Sequence, residues 1–393
     1  MAGGADDDVF HAACYSVKVL ALPLLALVAG SLVYCVLTIV AAVRYRAVKP
    51  LPHGPALDGI SVLKPLAGVD DGLAENLRSF FEQRYGNFEI LFAVRSEKDP
   101  AIPVVEELRA QYPAIPSRLI VTGEPPYPNA KVYSLDRMLA AARHDRIVMA
   151  DSDVRVDGRL LETLAAEFAD PNVGMITCPY RAAPGRSVWS LLEAVGLNTE
   201  FIGGVLVARM LDGMKFALGP TIAARRGVLQ AIGGFDAVKD YLAEDFVMGN
   251  RAAELGYGVL LSSYVIEHRI GAQSLAANCR HRLRWNRSTR RSRPWGYVGQ
   301  MFTNPLPLAL LAWAARPEWW GVLAVTAVLR AAAGAATAGV ALRDPLTARW
   351  WWLVPVQDMA SFGFWLAGFF GNTIVWRGRR YYVQPDGRFT PLP

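Results

Sequence analysis

Arg146-Ile-Val-Met-Ala-Asp151-Ser-Asp153-Val-Arg-Val156 decides how this chain reads. A short apolar run ends in two carboxylates spaced i, i+2. A buried strand that ends this way delivers an acidic pair to the sheet edge where ligands of α/β folds sit. Two carboxylates there are costly unless they hold a cation. A hydrated Mg²⁺ or Mn²⁺ bridged to a diphosphate fits, so Asp151 and Asp153 are candidate metal ligands. The competing local reading is a turn in which an aspartate caps a helix near Leu160.

The 393 residues around this stretch suffice for one large catalytic domain plus membrane segments. Hydrophobic residues make up 53% and charged residues 19%, a balance that leans toward a membrane protein, with the apolar excess at the two ends. A net charge of +6 points to an acidic partner. The basic residues cluster beside apolar segments, which fits an anionic membrane surface and a nucleotide diphosphate and argues against nucleic acid. Cys14, Cys35, Cys178 and Cys279 lack pairing or metal spacing, and the five histidines form no HxH or HExxH pattern. A disulfide scaffold and a zinc site are disfavoured on that ground.

Strand-like runs recur before the acidic pair: Ile60-Ser-Val-Leu, Glu89 to Val94 and Arg118 to Val121, then Arg146 to Ala150 itself. Between them, Leu73, Leu77, Phe80 and Phe81 recur at helical spacing. So do Val104, Val105 and Leu108, then Val132, Leu135 and Leu139. This alternation predicts an α/β domain with a mostly parallel sheet, expected over 59–279.

Residues 17–43 form an apolar run sufficient for one bilayer crossing, with a tail at 1–16 and a Pro-rich linker at 44–58. Asp6, Asp7 and Asp8 precede the run; Arg44, Arg46 and Lys49 follow it. The positive-inside rule therefore puts the catalytic domain in the cytosol. A basic segment at 280–300 is expected to lie on anionic lipid, followed by membrane segments at 301–376 and a tail at 377–393. Trp319 to Ala341 and Trp350 to Trp376 are each long enough to span. Met301 to Ala315 is short and interrupted by Pro305 and Pro307, so two to three C-terminal crossings are expected, a hairpin preferred. Arg330, mid-span, should face protein or a polar lipid group.

Further motifs carry candidate chemistry. Asp99 follows a strand and can accept an imide N–H or cap the helix after Pro100. Asn129-Ala-Lys131 opens a helix, where a lysine can meet a phosphate. Glu244-Asp245 follows the glycine turn Gly233-Gly234. Adjacent carboxylates cannot both face one way, so one can face a cleft as a general base with a raised pKa. His281-Arg-Leu-Arg284-Trp285 adds a guanidinium for a diphosphate and a flat apolar wall for an acceptor.

Together these segments resemble the family-2-type nucleotide-sugar glycosyltransferases with a GT-A fold, and among them the ceramide glucosyltransferase group. The resemblance runs from about Ile60 to Trp285. It includes Ser61-Val-Leu-Lys-Pro-Leu-Ala-Gly-Val-Asp70, Asn76 to Tyr85, Asp99-Pro-Ala-Ile, Asn129-Ala-Lys131, Asp151 to Val156, Tyr241 to Phe246 and the Arg-Trp pair. The implied fold is α/β, a Rossmann-like GT-A domain with one N-terminal and two to three C-terminal transmembrane helices. The resemblance implies a UDP-sugar donor bound by Lys64, Asp99, Asn129, Lys131, Asp151 and Arg284. Asp151 and Asp153 would hold Mg²⁺ or Mn²⁺. Asp245 would be the catalytic base, with Glu244, His281 and Trp285 toward the acceptor. The position of His281 usually holds Gln or Arg in the family, so the contact made there is open. Arg280 to Arg293 and Tyr297 to Pro307 resemble a bacterial branch that transfers N-acetylglucosamine to hopanoid lipids, which implies the bacterial inner membrane.

The expectation is a membrane-bound inverting enzyme that adds one sugar to a lipid hydroxyl, a hopanoid favoured over ceramide. Two alternatives stand beside it: a processive polysaccharide synthase of the same fold, and a non-catalytic protein that binds nucleotide-sugar or lipid.

Overall fold

We describe a computed structural model of the chain that covers residues 4–47, 58–376 and 378–392, with side chains from residue 21 onward. The acidic residues Asp6 to Asp8 and Lys49, with the linker that follows it, lie outside the described side chains.

The predicted strands form where the apolar runs stand. β1 (Ile60–Pro65), β2 (Phe88–Val94), β3 (Ser117–Val121) and β4 (Arg146–Ala150) pair in parallel. β1, β2 and β4 are buried on both faces, which is why they read as continuous apolar runs. The helical stripes pack on them: Leu73, Leu77, Phe80, Phe81, Val105 and Leu108 are buried on one face, and Val132 and Leu135 on the other.

After β4 the chain makes a short β5 (Val154–Arg155), then β6 (Val173–Thr177), β7 (Tyr180–Pro184), β8 (Thr221–Arg225), β9 (Gly258–Leu261) and β10 (Ile266–Ile270). The main sheet runs β3-β2-β1-β4-β8-β6-β9, with β8 antiparallel to both neighbours. A small second sheet, β5-β10-β7, stands at its edge and lies directly beyond the acidic pair.

Among the described residues, three helical stretches are long and apolar enough to cross a membrane: Ala21–Arg46, Val188–Asp212 and Pro317–Ala341. Pro305–Ala315 is apolar but shorter; at 11 residues it reaches about 16 Å, well short of a hydrocarbon core of about 30 Å. It packs against the N-terminal helix and against Trp320–Ala335, with Val28, Leu308, Ala309 and Ala312 between them. Val188–Asp212 sits inside the expected catalytic domain, and 72% of its most apolar window is buried by protein. Arg330 faces protein, as its position requires: it is 3% exposed and its guanidinium grips Asp358 with bonds of 2.8–3.0 Å.

The structure departs from expectation at the C-terminal end and at one domain boundary. Trp350 to Trp376 is not one span. Its helix, Val354–Gly368, ends after 15 residues, about 22 Å. Gly371 takes a left-handed φ of 75°, and the chain turns into β11 (Thr373–Trp376). Within the expected tail, β12 (Arg379–Val383) and β13 (Phe389–Pro391) complete an antiparallel sheet with β11. The boundary drawn at 279/280 also falls inside a helix, Leu275–Ser292. Its arginines serve the protein as much as any membrane. Arg287 donates to the carbonyls of Phe370 and Thr373, and Arg290 to those of Phe369 and Gly371. These cations satisfy orphan carbonyls where Val354–Gly368 ends.

Candidate active site

The acidic pair lies where its sequence placed it, immediately past β4. Neither aspartate caps the helix Leu160–Glu167; Asp157 takes the Arg159 N–H there instead. The backbone of Asp151 is pinned from both sides. Its N–H donates to the Pro220 carbonyl, and its carbonyl accepts from Lys64 Nζ at 2.5 Å. Lys64 belongs to β1, is 0% exposed and lies 3.9 Å over the Phe80 ring. Burial pulls its pKa down to about 7, against the pull of Asp151 and Asp153. Expected among the donor contacts, Lys64 is sealed behind the acidic turn and props it, because β1 is central in the sheet.

The two carboxylates part company. Asp151 Oδ1 lies 2.7 Å from Lys131 Nζ, and Lys131 also reaches Glu244 Oε1 at 3.2 Å. Burial works against the Lys131 charge, but Asp151 and Glu244 outweigh it and hold the ammonium above the usual lysine range. Asp153 Oδ2 lies 3.2 Å from His268 Nε2. His268 sits on β10, opposite Val154 in register. Burial opposes both charges of this pair; each partner overcomes it, so the Asp153 pKa is lowered and the His268 pKa raised.

Asn129 caps the helix Ala130–Ala141 through Val132 N and is fully buried. Its amide donates to the Tyr241 carbonyl at 2.9 Å and to Glu244 Oε2 at 3.3 Å. Expected beside the nucleotide, it ties that helix to the Glu244-Asp245 motif instead. Asp99 ends up past β2 with both oxygens near the Gly68 N–H and Oδ1 accepting from Ala101 N. It does cap, and it also joins two loops at the sheet edge.

Glu244 and Asp245 open the helix Glu244–Glu254 and diverge as adjacent residues must. Glu244 is 6% exposed and turned to Lys131; Asp245 is half-buried. Burial, then the Glu244 charge, pushes the Asp245 carboxyl up to about 7. Gly219 makes room for it: a Cβ there would stand 2.8 Å from Asp245 Oδ2. The approach loop is clamped by the C-terminal sheet, where Phe389 N donates to the Asp240 carbonyl and Tyr241 bridges Arg388.

An aromatic wall connects the acidic pair to the Arg-Trp helix. The Tyr180 ring stands edge-on to His268 at 5.3 Å and stacks on Phe201 at 5.6 Å. Phe201 leans on Trp285 at 6.0 Å, and Trp285 meets His281 at 4.9 Å. His281 Nδ1 lies 2.7 Å from Glu193 Oε1, and Arg284 is half-buried on the same helix. His268, Tyr180, Phe201 and Glu193 escaped sequence reading. The only signal was a histidine in the strand-like run Val265 to Ile270, and its partner lies 115 residues away.

Among the described residues no three His, Cys, Asp or Glu side chains converge to cage a metal. The donor set still suits a divalent ion in part, because Asp153 Oδ1 is buried without a hydrogen-bond partner. Hard cations of this class draw their remaining ligands from phosphate and water.

The model of Glycosyl transferase family 21 matches residues 23–389. The chain belongs to glycosyl transferase family 21. Among curated relatives, ceramide glucosyltransferase 1 of Caenorhabditis elegans is 30% identical over 56% of this chain and 47% of its own length. Ceramide glucosyltransferase of Komagataella phaffii is 33% identical over 37% of this chain and 30% of its own. The chain thus spans about half or less of the length of these two family relatives. Among solved structures, a mannosyltransferase of Pyrobaculum calidifontis in complex with GDP-Man and Mn2+ superposes with a TM-score of 0.54 at 20% identity, over 89% of this chain and 99% of that one. That likeness identifies the family 21 domain as a GT-A fold.

Proposed function

We propose that this family 21 protein is a membrane-bound inverting glycosyltransferase that moves one hexose from a UDP-sugar to the hydroxyl of a membrane lipid. The observation that carries the reading is the Lys131 bridge. One ammonium joins Asp151, on the donor side, to Glu244, the neighbour of Asp245. Asp245, with its carboxyl near 7, is matched to accept a hydroxyl proton at neutral pH. The lipid oxygen attacks the anomeric carbon from the face opposite the diphosphate. The bond from that carbon to the diphosphate oxygen breaks, its electron pair leaves with UDP, and the proton passes to Asp245. Lys131 and Arg284 would stabilise charge developing on the diphosphate. Asp151 and Asp153 would hold a divalent metal, which when bound supplies further neutralisation of that charge.

The curated relatives favour ceramide as acceptor and glucose as donor. A hopanoid acceptor with N-acetylglucosamine is the second reading, supported by the make-up of Arg280 to Arg293 and the segment after it. Purified protein in nanodiscs is to be given UDP-glucose or UDP-N-acetylglucosamine with ceramide or a hopanoid, and the products weighed by mass spectrometry. A single added sugar supports the reading; a polymer would make the protein a synthase, and no UDP release with any pair would make it a binder.

A further inference from the structure

A second hydrogen-bonding centre lies where the catalytic domain meets the apolar helices. The helices Val188–Gly196 and Ile202–Asp212 are joined by one π turn, Leu197–Phe201. Such turns are rare and recur at functional sites. This one supplies Phe201 to the aromatic wall beside Trp285. Its neighbour Glu200 meets the segment that opens the apolar helix Pro305–Ala315. Glu200 Oε1 accepts from Thr303 Oγ1 at 3.0 Å and from Asn304 Nδ2 at 2.9 Å.

Polar capacity is left over here. Both of those bonds go to Oε1; Oε2 takes none from the described residues. Asn304 is 2% exposed, and its Oδ1 has no partner. The Tyr34 hydroxyl is buried too, with no well-aligned partner among the described residues, Thr38 one turn on being the side chain within reach. It lies next to Gly204, one turn on from Glu200, where a Cβ would stand 3.4 Å away. Native proteins rarely leave such groups unpaired, and those that remain call for a ligand or water. The place is not sealed: Tyr34, Glu200, Phe201, Thr303 and Trp285 are all half-buried. Apolar surface flanks it, with Val33 and Val36 on the N-terminal helix 60% and 47% exposed.

We propose that Glu200, Asn304 and Tyr34 form the seat for the headgroup of the acceptor lipid. The ligand class is an amphiphile that carries two neighbouring hydrogen-bond donors close to the hydroxyl that receives the sugar. The N–H and secondary O–H of a ceramide satisfy this, and so does a run of hydroxyls on a polyol lipid. Its donors meet Glu200 Oε2 and Asn304 Oδ1, Tyr34 donates back, and Phe201 and Trp285 flank the path toward Asp245. The inference rests on the lipid-acceptor reading above and adds where the lipid is gripped.

The test is acceptor and donor kinetics in nanodiscs, with fluorescent short-chain ceramide or a polyol hopanoid, whichever the wild type glycosylates. Glu200→Gln is expected to raise the acceptor KM at least tenfold and leave the UDP-sugar KM unchanged. Tyr34→Phe, which removes one oxygen and no packing, is expected to raise it about threefold to tenfold, in line with the loss of one hydrogen bond. With ceramide as substrate, an analogue lacking the secondary hydroxyl should weaken wild type by a similar factor and Glu200→Gln by none further; with the hopanoid, a deoxy analogue serves. An unchanged acceptor KM in both variants overturns the inference alone. A matching rise in donor KM does so too, because it marks a merely structural role. Wild type that glycosylates neither lipid overturns the inference together with the proposed function.

Discussion

Lys131 stands 2.7 Å from Asp151, and the same ammonium touches Glu244. The donor-side strand end and the acidic helix are thus joined through one side chain that begins a third element. Lys131→Met removes the cation that, alone among the described residues, contacts both carboxylates. Removing one partner of a buried ion pair costs about 3–5 kcal/mol, and these groups are part exposed, so the lower end is expected. UDP-sugar binding should weaken at least tenfold, measured by calorimetry, with a lower melting temperature. Wild-type affinity in the variant would refute the bridging role.

Asp245 sets a pH limb. In its proposed role as base it works only when ionised, and burial holds its carboxyl near 7. Turnover should rise about tenfold per pH unit below 7 and level off above it. The stability sign is opposite. A carboxyl raised on folding favours the folded state at low pH, and that benefit is lost as pH rises through about 7. Asp245→Asn should therefore lose turnover yet melt no lower than wild type at pH 8, followed by thermal unfolding in detergent.

Gly219 tests the placement of that carboxylate. Its φ is not left-handed, and an added methyl would press on the Asp245 carboxyl, 2.8 Å from Oδ2 and 3.4 Å from Cγ. Gly219→Ala should lower kcat at least tenfold through displacement of the base, with secondary structure by circular dichroism unchanged. Unimpaired kcat would place the base elsewhere.

His268 orients Asp153. Groups of this kind typically tune metal affinity 10–100-fold. In His268→Ala, Mn²⁺ titration of UDP binding should show a weakening of about that size. An unaltered metal dependence would remove the Asp153–His268 pair from the proposed metal site.

Phe389 packs with Leu242, Ile374, Tyr381 and Val383. Phe389→Ala should destabilise this sheet by about 3–5 kcal/mol. Because the sheet clamps Asp240 and Tyr241, kcat should drop while UDP-sugar affinity holds. Equal loss of both would point to general unfolding.

Local periodicity made β1, β2 and β4 and the helices on them legible, since both faces of the sheet are buried there; the edge strand β3 was legible from its apolar run alone. Asp151, Asp153 and Asp245 were legible as strand-end and helix-start carboxylates. The burial of Lys64 and Asn129 was not legible, because it depends on the turn past β4 and on Tyr241, far along the chain. The end of Trp350 to Trp376 was hidden for a similar reason. Hydropathy counts apolar residues, whereas Gly371 and the arginines at 287 and 290 stop the helix by backbone angle and carbonyl capture. The aromatic wall draws on β10, β7, a π turn and a basic helix, and no window of sequence contains it.

The clamp on Asp240 carries a consequence for biogenesis. The loop that leads into Glu244-Asp245 is built early in translation, but the strand that fastens it, β13, is made after the apolar helices. Domains fold largely in the order they are synthesised, so this one stays unfinished until the later hydrophobic helices have left the ribosome. A chain stalled during insertion would carry Asp245 on an unlatched loop, and the proposed activity would stay silent until the last strand docked.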